Sequence, residues 1–112
     1  MNDVFFPDSA LTLESIEPGA VSRKIRACGG GLMMVEVFFK AGACGAEHRH
    51  VHEQVSYCLD GEFLFTIDGQ RCTLRAGDSL YVPPSALHGA TCISDGRLLD
   101  VFTPQREDFI KV

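Results

Sequence analysis

Positive charge is not in excess in this chain: 10 Lys and Arg stand against 15 Asp and Glu, a net charge of −5 at neutral pH. Nucleic acid demands a basic footprint, so it is not expected among the partners. The same imbalance means that an anionic ligand gains nothing from the overall field and must be held by local cations. No Cys-x-x-Cys pair occurs, and the five cysteines, Cys28, Cys44, Cys58, Cys72 and Cys92, are odd in number and scattered. That pattern speaks against a secreted disulfide framework and for reduced thiols in the cytoplasm. No hydrophobic run approaches the length of a membrane span, so no membrane partner is expected. Met1 to Ala10 carries Asp3, Pro7 and Asp8 but neither a basic start nor an apolar stretch, which does not read as a signal peptide. Helical periodicity of useful length is missing as well.

What is present reads as strands cut by turns. With 112 residues, 46% of them hydrophobic, the chain is long enough for a core of its own, and 1–112 is expected to be one domain. Ser22 to Cys28 and Leu32 to Phe39 flank Gly29-Gly30-Gly31, a hairpin signal. The second segment sets Met33, Val35, Val37 and Phe39 on one face, a period-two apolar stripe. Lys40 to Gly45 is loop by composition. Val55 to Leu59 and Glu62 to Ile67 are expected as two strands around Asp60-Gly61. Asp68-Gly69 lies between apolar runs, a strong hairpin signal, and Gln70 to Leu74 returns from it. Ser79 to Val82 follows the Ala76-Gly77-Asp78 turn and is stopped by Pro83-Pro84. His88 to Ile93 and Arg97 to Phe102 are expected as a last pair around Asp95-Gly96. Nine or ten short strands in this rhythm predict an all-β sandwich or barrel, of which the antiparallel jelly roll is one form.

Three of the four histidines fall at 48, 50 and 52, with Gln54 two positions on. Alternate residues of a strand share a face, so His48 and His50 can converge on one ion. A turn at Val51-His52-Glu53 would bring Gln54 back to the same place. His88 is the distant histidine. Imidazole nitrogens suit zinc, copper, iron and nickel. A lone His-x-His is more often a solvated loop than a ligand pair, and the surrounding glycines decide the matter here. Gly42, five residues, His48-x-His50, three residues, Gln54, six residues, Gly61 forms one spaced pattern. Gly77, five residues, Pro83, then His88 forms another. Together they resemble the two motifs of the cupin superfamily, motif 1 at 42–61 and motif 2 at 77–92, with a C-terminal strand and tail at 97–112.

The resemblance implies a small jelly-roll barrel that binds one divalent metal ion (nickel, zinc, iron or manganese) through His48, His50, Gln54 and His88. Three positions depart from the usual motifs: Gln54 stands for a glutamate, Ser85 for a glycine and Cys92 for an asparagine. The last two are expected to touch packing only. Gln54 matters for chemistry, because four neutral ligands leave the ion its full charge, which makes it a seat for an anion. His52 is expected in the turn, outside the ligand set. Cys58 and Ser56 share Gln54's face and would leave room for a substrate.

The final strand holds one acid, Asp100, with Leu98 and Phe102 on its face and Leu99 and Val101 on the other. It is expected to be at least half buried, and buried carboxylates need a partner or a shifted pKa. From the residues alone it reads equally as a functional acid and as an edge-strand aspartate paired with Arg97 or with solvent. Arg106, taken alone, reads as a surface residue of the tail. Leu32-Met33-Met34-Val35-Glu36-Val37, Tyr81-Val82-Pro83-Pro84 and the run from Leu99 to Phe109 are, however, similar to the small KdgF-type cupins of pectin and alginate catabolism. That resemblance makes Asp100, Phe102 and Arg106 active-site residues beside the metal. It implies a non-redox, isomerase-like enzyme of carbohydrate catabolism that opens and ketonises 4,5-unsaturated uronate monomers to linear 4-deoxy-5-keto uronates. A cupin dioxygenase with a three-histidine centre and a non-catalytic sugar-acid binder are the alternatives. By analogy with small cupins a homodimer is expected, with Val4, Phe5 and Phe6 available for its interface.

Overall fold

The structure, a computed structural model, describes residues 4–110; Asp3 at the start of the chain and Val112 at its end lie outside it. A single 3-10 turn, Asp8–Ala10, precedes eight strands: β1 (Glu14–Glu17), β2 (Val21–Gly29), β3 (Leu32–Phe39), β4 (Cys44–His48), β5 (Glu53–Ile67), β6 (Gln70–Arg75), β7 (Ser79–Val82) and β8 (His88–Thr103). All pair antiparallel. The expected hairpin at Gly29-Gly30-Gly31 joins β2 to β3, and Asp68-Gly69, with φ of 48° and 81°, joins β5 to β6. Positive φ at both central residues gives the turn a twist that matches that of its strands.

Two of the expected turns are not turns. Asp60-Gly61 and Asp95-Gly96 lie inside β5 and β8, which run on as strands of 15 and 16 residues. These two strands pair with each other almost end to end, from Glu53 opposite Thr103 to Ile67 opposite His88, with register shifts between Cys58 and Phe63. A Cβ on Gly61 would lie 2.6 Å from the Asp95 carbonyl oxygen and 2.6 Å from the Gly96 Cα. Both glycines are there because the two backbones touch at the bend, not because the chain reverses. Strand β1, by contrast, is absent from the sequence reading, and β4, which carries His48, begins at Cys44, inside the stretch expected to be loop.

The bend creates the barrel. The first half of β5 pairs with β7 and with the second half of β8, which continues to β3, β2 and β1. The second half of β5 pairs with β6 and with the first half of β8, which continues to β4. Two sheets sharing two bent strands enclose one core, the jelly-roll solution to sheet edges. Cys58, Phe63, Phe65, Leu74, Cys92 and Leu98 form one buried cluster, with Phe39 packed edge-on against Phe63 at 5.0 Å between ring centres. Met33, Val35 and Phe102 form another, joined by Phe109 and Ile110 of the tail. A buried side chain of this kind contributes about 1.5–3 kcal/mol, so the barrel rests on these residues. Polar groups inside are few: Glu36, Gln54, Ser56 and His88 are the buried ones among the described residues.

Candidate metal centre

The topology collects the histidines at one end of the barrel. His48 ends β4 and stands opposite His88, which opens β8. His50 lies two residues past the end of β4 rather than on it, and its carbonyl oxygen accepts the Ser85 N–H at 2.8 Å. That bond ties the first motif to the loop that delivers His88. Ring centres are 4.4 Å apart for His48 and His88, 4.7 Å for His50 and His88, and 5.6 Å for His48 and His50. One nitrogen from each of the three lies within 4.8 Å of the others. Small side-chain rotations close such a spread onto one ion.

The hydrogen bonds say which nitrogens face inward. His48 Nδ1 lies 3.1 Å from the Ala46 carbonyl, His50 Nδ1 3.1 Å from that of His52, and His88 Nδ1 2.9 Å from that of Ala86. A carbonyl can only accept, so each Nδ1 carries the proton and each Nε2 keeps a lone pair. Backbone fixing of this sort orients metal-binding imidazoles. Gln54 is fixed from its far end: its Nε2 donates to Ser56 Oγ at 2.9 Å, and Ser56 Oγ donates to Asp100 Oδ1 at 2.6 Å. Its Oε1 is then turned to within 3.0 Å of His50 Nε2. Two lone pairs face each other there, an unfavourable arrangement unless a cation stands between or beside them. The donor set fits a divalent ion held by His48, His50, His88 and Gln54.

Asp100, Phe102 and Arg106 are brought to the same place. With His48, Gln54 and His88 they line a cavity of about 180 Å³. Strand β8 is central, not an edge, and Arg97 is engaged elsewhere, with Asp60 at 2.8 Å and Glu36 at 2.7 Å. The edge-strand reading of Asp100 therefore falls. Phe102 is buried, its ring 5.9 Å from that of His50 and 5.8 Å from that of Phe109. Arg106 does make the local ion pair expected of a tail residue, two bonds to Asp108 at 3.1 and 2.9 Å. It also faces the cavity, its guanidinium 4.3 Å from the centre of the Phe109 ring. A groove of about 480 Å³ near Lys40 and Arg97 is roomier but carries no histidine.

Burial pushes the Asp100 carboxyl up to about 6, against the opposing pull of the Ser56 bond and the Arg106 charge. Burial likewise holds His50 and His88 below the usual imidazole range, with the Arg106 charge adding to the effect. In the metal-free protein Asp100 thus binds its proton more tightly when folded than when unfolded. Its contribution to stability is complete below about pH 4 and is lost as pH rises through about 6. The two histidines act in the opposite sense, withholding stability as pH falls below about 6.5. Asp100→Asn, which mimics the neutral acid, is expected to raise the stability of the metal-free protein at pH 8 by up to about 3 kcal/mol. The gain should shrink toward pH 4. Urea melts of both proteins across this range check it, and a gain independent of pH contradicts it.

The remaining candidates separate cleanly. His52 lies outside the three-histidine cluster, in the turn, its ring edge-on to that of His50 at 5.4 Å between centres. Cys92 and Cys58 are buried like small hydrophobes, whereas Cys44 is exposed. Ser85 has a φ of 63°, so the glycine usual at this place serves backbone conformation, and the expectation that the change concerns packing alone is corrected. Ser56 is no mere spacer but the link between Gln54 and Asp100. Arg23 also lines the cavity and was missed, although Val21-Arg23-Ile25 shows a cation in the inward alternation of β2.

A two-sheet barrel with this cluster at its end is that of a cupin. The family model described as Cupin domain matches residues 35–102, and the chain belongs to that family. Along nearly its whole length it is similar to the pectin degradation protein KdgF of Dickeya dadantii strain 3937, 35% identical over 108 residues that cover 95% of this chain and 97% of that one. Among solved structures, KdgF from Halomonas sp. superposes with a TM-score of 0.88 at 35% identity, covering 95% of this chain and 97% of that one. An RmlC-like cupin from Shewanella frigidimarina NCIMB 400 gives 0.91 at 41% identity, covering 97% of each.

Proposed function

We propose that the protein is an enzyme that opens and ketonises 4,5-unsaturated uronate monomers, the acids left when lyases cut pectin or alginate. The observation that carries this reading is the line of contacts from His50 through Gln54 and Ser56 to Asp100, which couples a cation site to one half-buried acid in a single cavity. Likeness to KdgF over almost the full chain supports it. When bound, a divalent ion supplies an undiminished positive charge against which negative charge on the substrate is stabilised. Arg106, with one guanidinium nitrogen left over from its bonds to Asp108, holds the substrate carboxylate. Phe102 walls the cavity beside the sugar face.

The reaction moves one proton and breaks one bond. The anomeric hydroxyl loses its proton, the bond from that carbon to the ring oxygen breaks, the aldehyde forms, and C4 gains a proton. Nothing is added or lost, and no electron acceptor is needed. A carboxyl raised to about 6 can take a proton as its anion and return it near neutral pH. Asp100 is the group we assign to that transfer. Proton NMR in D₂O tests the reading: a linear 5-keto product with deuterium at C4, formed without oxygen uptake, is expected. Oxygen consumption with the substrate would instead favour a dioxygenase.

Gln54→Glu should retain the metal but raise the KM about tenfold, since the new carboxylate offsets the cation's charge. Steady-state kinetics at matched metal content measures this, and a KM at or below the parent's counts against electrostatic seating. The reading also includes a homodimer in the cytoplasm. Met34, Val101, Val55 and Tyr81 lie in register across the outward face of β3, β8, β5 and β7. Three of them are exposed, and Val4 and Phe6 adjoin the row at Met34 and Val101. Light scattering should give twice the 12.2 kDa chain mass, falling to one in Val55→Asp; a single mass for the parent removes the dimer.

A further inference from the structure

Arg23 is unused by the mechanism above. It lies on β2 with its side chain 13% exposed, and it lines the cavity beside His48, Gln54 and Asp100. Its guanidinium is 3.8 Å from the centre of the Phe109 ring, and that of Arg106 is 4.3 Å from the same centre. The two charges are therefore no more than about 8 Å apart, within one Debye length at physiological salt. Two like charges so placed repel one another unless an anion joins them. Among the described residues the acid bonded to Arg23 is Glu14, at 3.2 Å and through Nε, so both terminal nitrogens of the fork are left for something else. In a chain of net charge −5, two cavity-facing guanidiniums held on one aromatic ring are a local exception.

We infer that Arg23 is a second anion-holding residue of this cavity and sets its preference for uronates over neutral sugars. The inference rests on the proposed function and extends it, since the sequence resemblance offers Arg106 alone for this task. The carboxylate of the entering sugar bridges the two guanidiniums, each giving one or two N–H donors. Phe109 serves as the spacer that keeps both forks in place. Glu14, bonded through Nε, leaves the terminal nitrogens to the substrate but offsets part of the Arg23 charge.

The test measures metal-loaded parent, Arg23→Ala, Arg23→Lys and Glu14→Gln by kinetics on the unsaturated uronate. Calorimetry with a saturated hexuronate and with the corresponding neutral hexose runs beside it. Arg23→Ala is expected to raise KM and weaken hexuronate binding by about tenfold or more, with kcat within about threefold of the parent. Arg23→Lys should recover part of the loss, because the charge stays and the fork goes. Glu14→Gln should shift KM the other way, below the parent's, an effect that a purely structural ion pair would not produce. Neutral hexose binding should be the same in all four proteins. Unchanged KM and hexuronate affinity in Arg23→Ala overturn the inference and leave the reaction standing, because the parent's turnover is recorded alongside. If Arg23→Ala loses its metal or its fold, the other two variants decide: parental KM in both overturns it. A parent that neither binds nor converts a uronate overturns both this inference and the function it rests on.

Discussion

Asp100→Asn is expected to lower the turnover number by about a hundredfold or more, the usual worth of a positioned acid–base group, and to leave metal content unchanged. Asparagine is nearly isosteric and still accepts the 2.6 Å bond from Ser56 Oγ, so Ser56 and Gln54 keep their places. What it cannot do is take up a proton and return it. KM should move by no more than about threefold, since the substrate carboxylate is held by Arg106 and not by Asp100. Arg106→Ala should show the reverse, a larger loss in KM than in kcat. The two changes together should cost less than the sum, because both groups face one substrate in one cavity. Steady-state kinetics on the singles and the double, each assayed for metal, reads this out. Near-parental turnover of Asp100→Asn would make Asp100 a structural acid.

Replacing His48, His50 or His88 by alanine is expected to remove most of the bound metal and to cost more than about a hundredfold in activity. The barrel should still fold. Its buried clusters are built from Phe63, Phe65, Leu74, Leu98, Met33, Val35 and Phe102, and none of these depends on an ion for its place. His50→Ala should show a further effect, since Gln54 Oε1 loses the group that faces it at 3.0 Å. Metal analysis and circular dichroism on the three variants check this. Unfolding of all three would mean that the ion holds the fold together.

The site was more legible in the sequence than the strands that carry it. Motif spacing reached His48, His50, Gln54 and His88 because each glycine marks a backbone conformation that side chains avoid; Gly42, Gly61 and Gly77 all have positive φ. The alternation around Asp100 grouped it with Leu98 and Phe102 without saying which face turns inward, and the structure buries Leu98 and Phe102. Asp60-Gly61 and Asp95-Gly96 misled because an Asp-Gly pair carries the same local signal whether the chain reverses or two strands touch. Only the partner strand distinguishes the two cases, and that information is non-local. Ser56 was misread as a space-leaving residue, and Arg23 passed over, for a similar reason. A serine on a strand looks like a small filler until Asp100, 44 residues on, is set opposite it. An arginine looks like surface until Phe109 is laid against it.

The central claim, that this cupin opens unsaturated uronates, is tested most directly by one absorbance trace. Metal-loaded protein is mixed with fresh lyase-generated unsaturated monomer, and the absorbance of its conjugated alkene is followed against a buffer blank. Ring opening removes that alkene, so the signal should fall faster with protein than without, in proportion to enzyme added, and Asp100→Asn should return the trace almost to the blank. A parent trace that overlays the blank at every protein concentration would contradict the account.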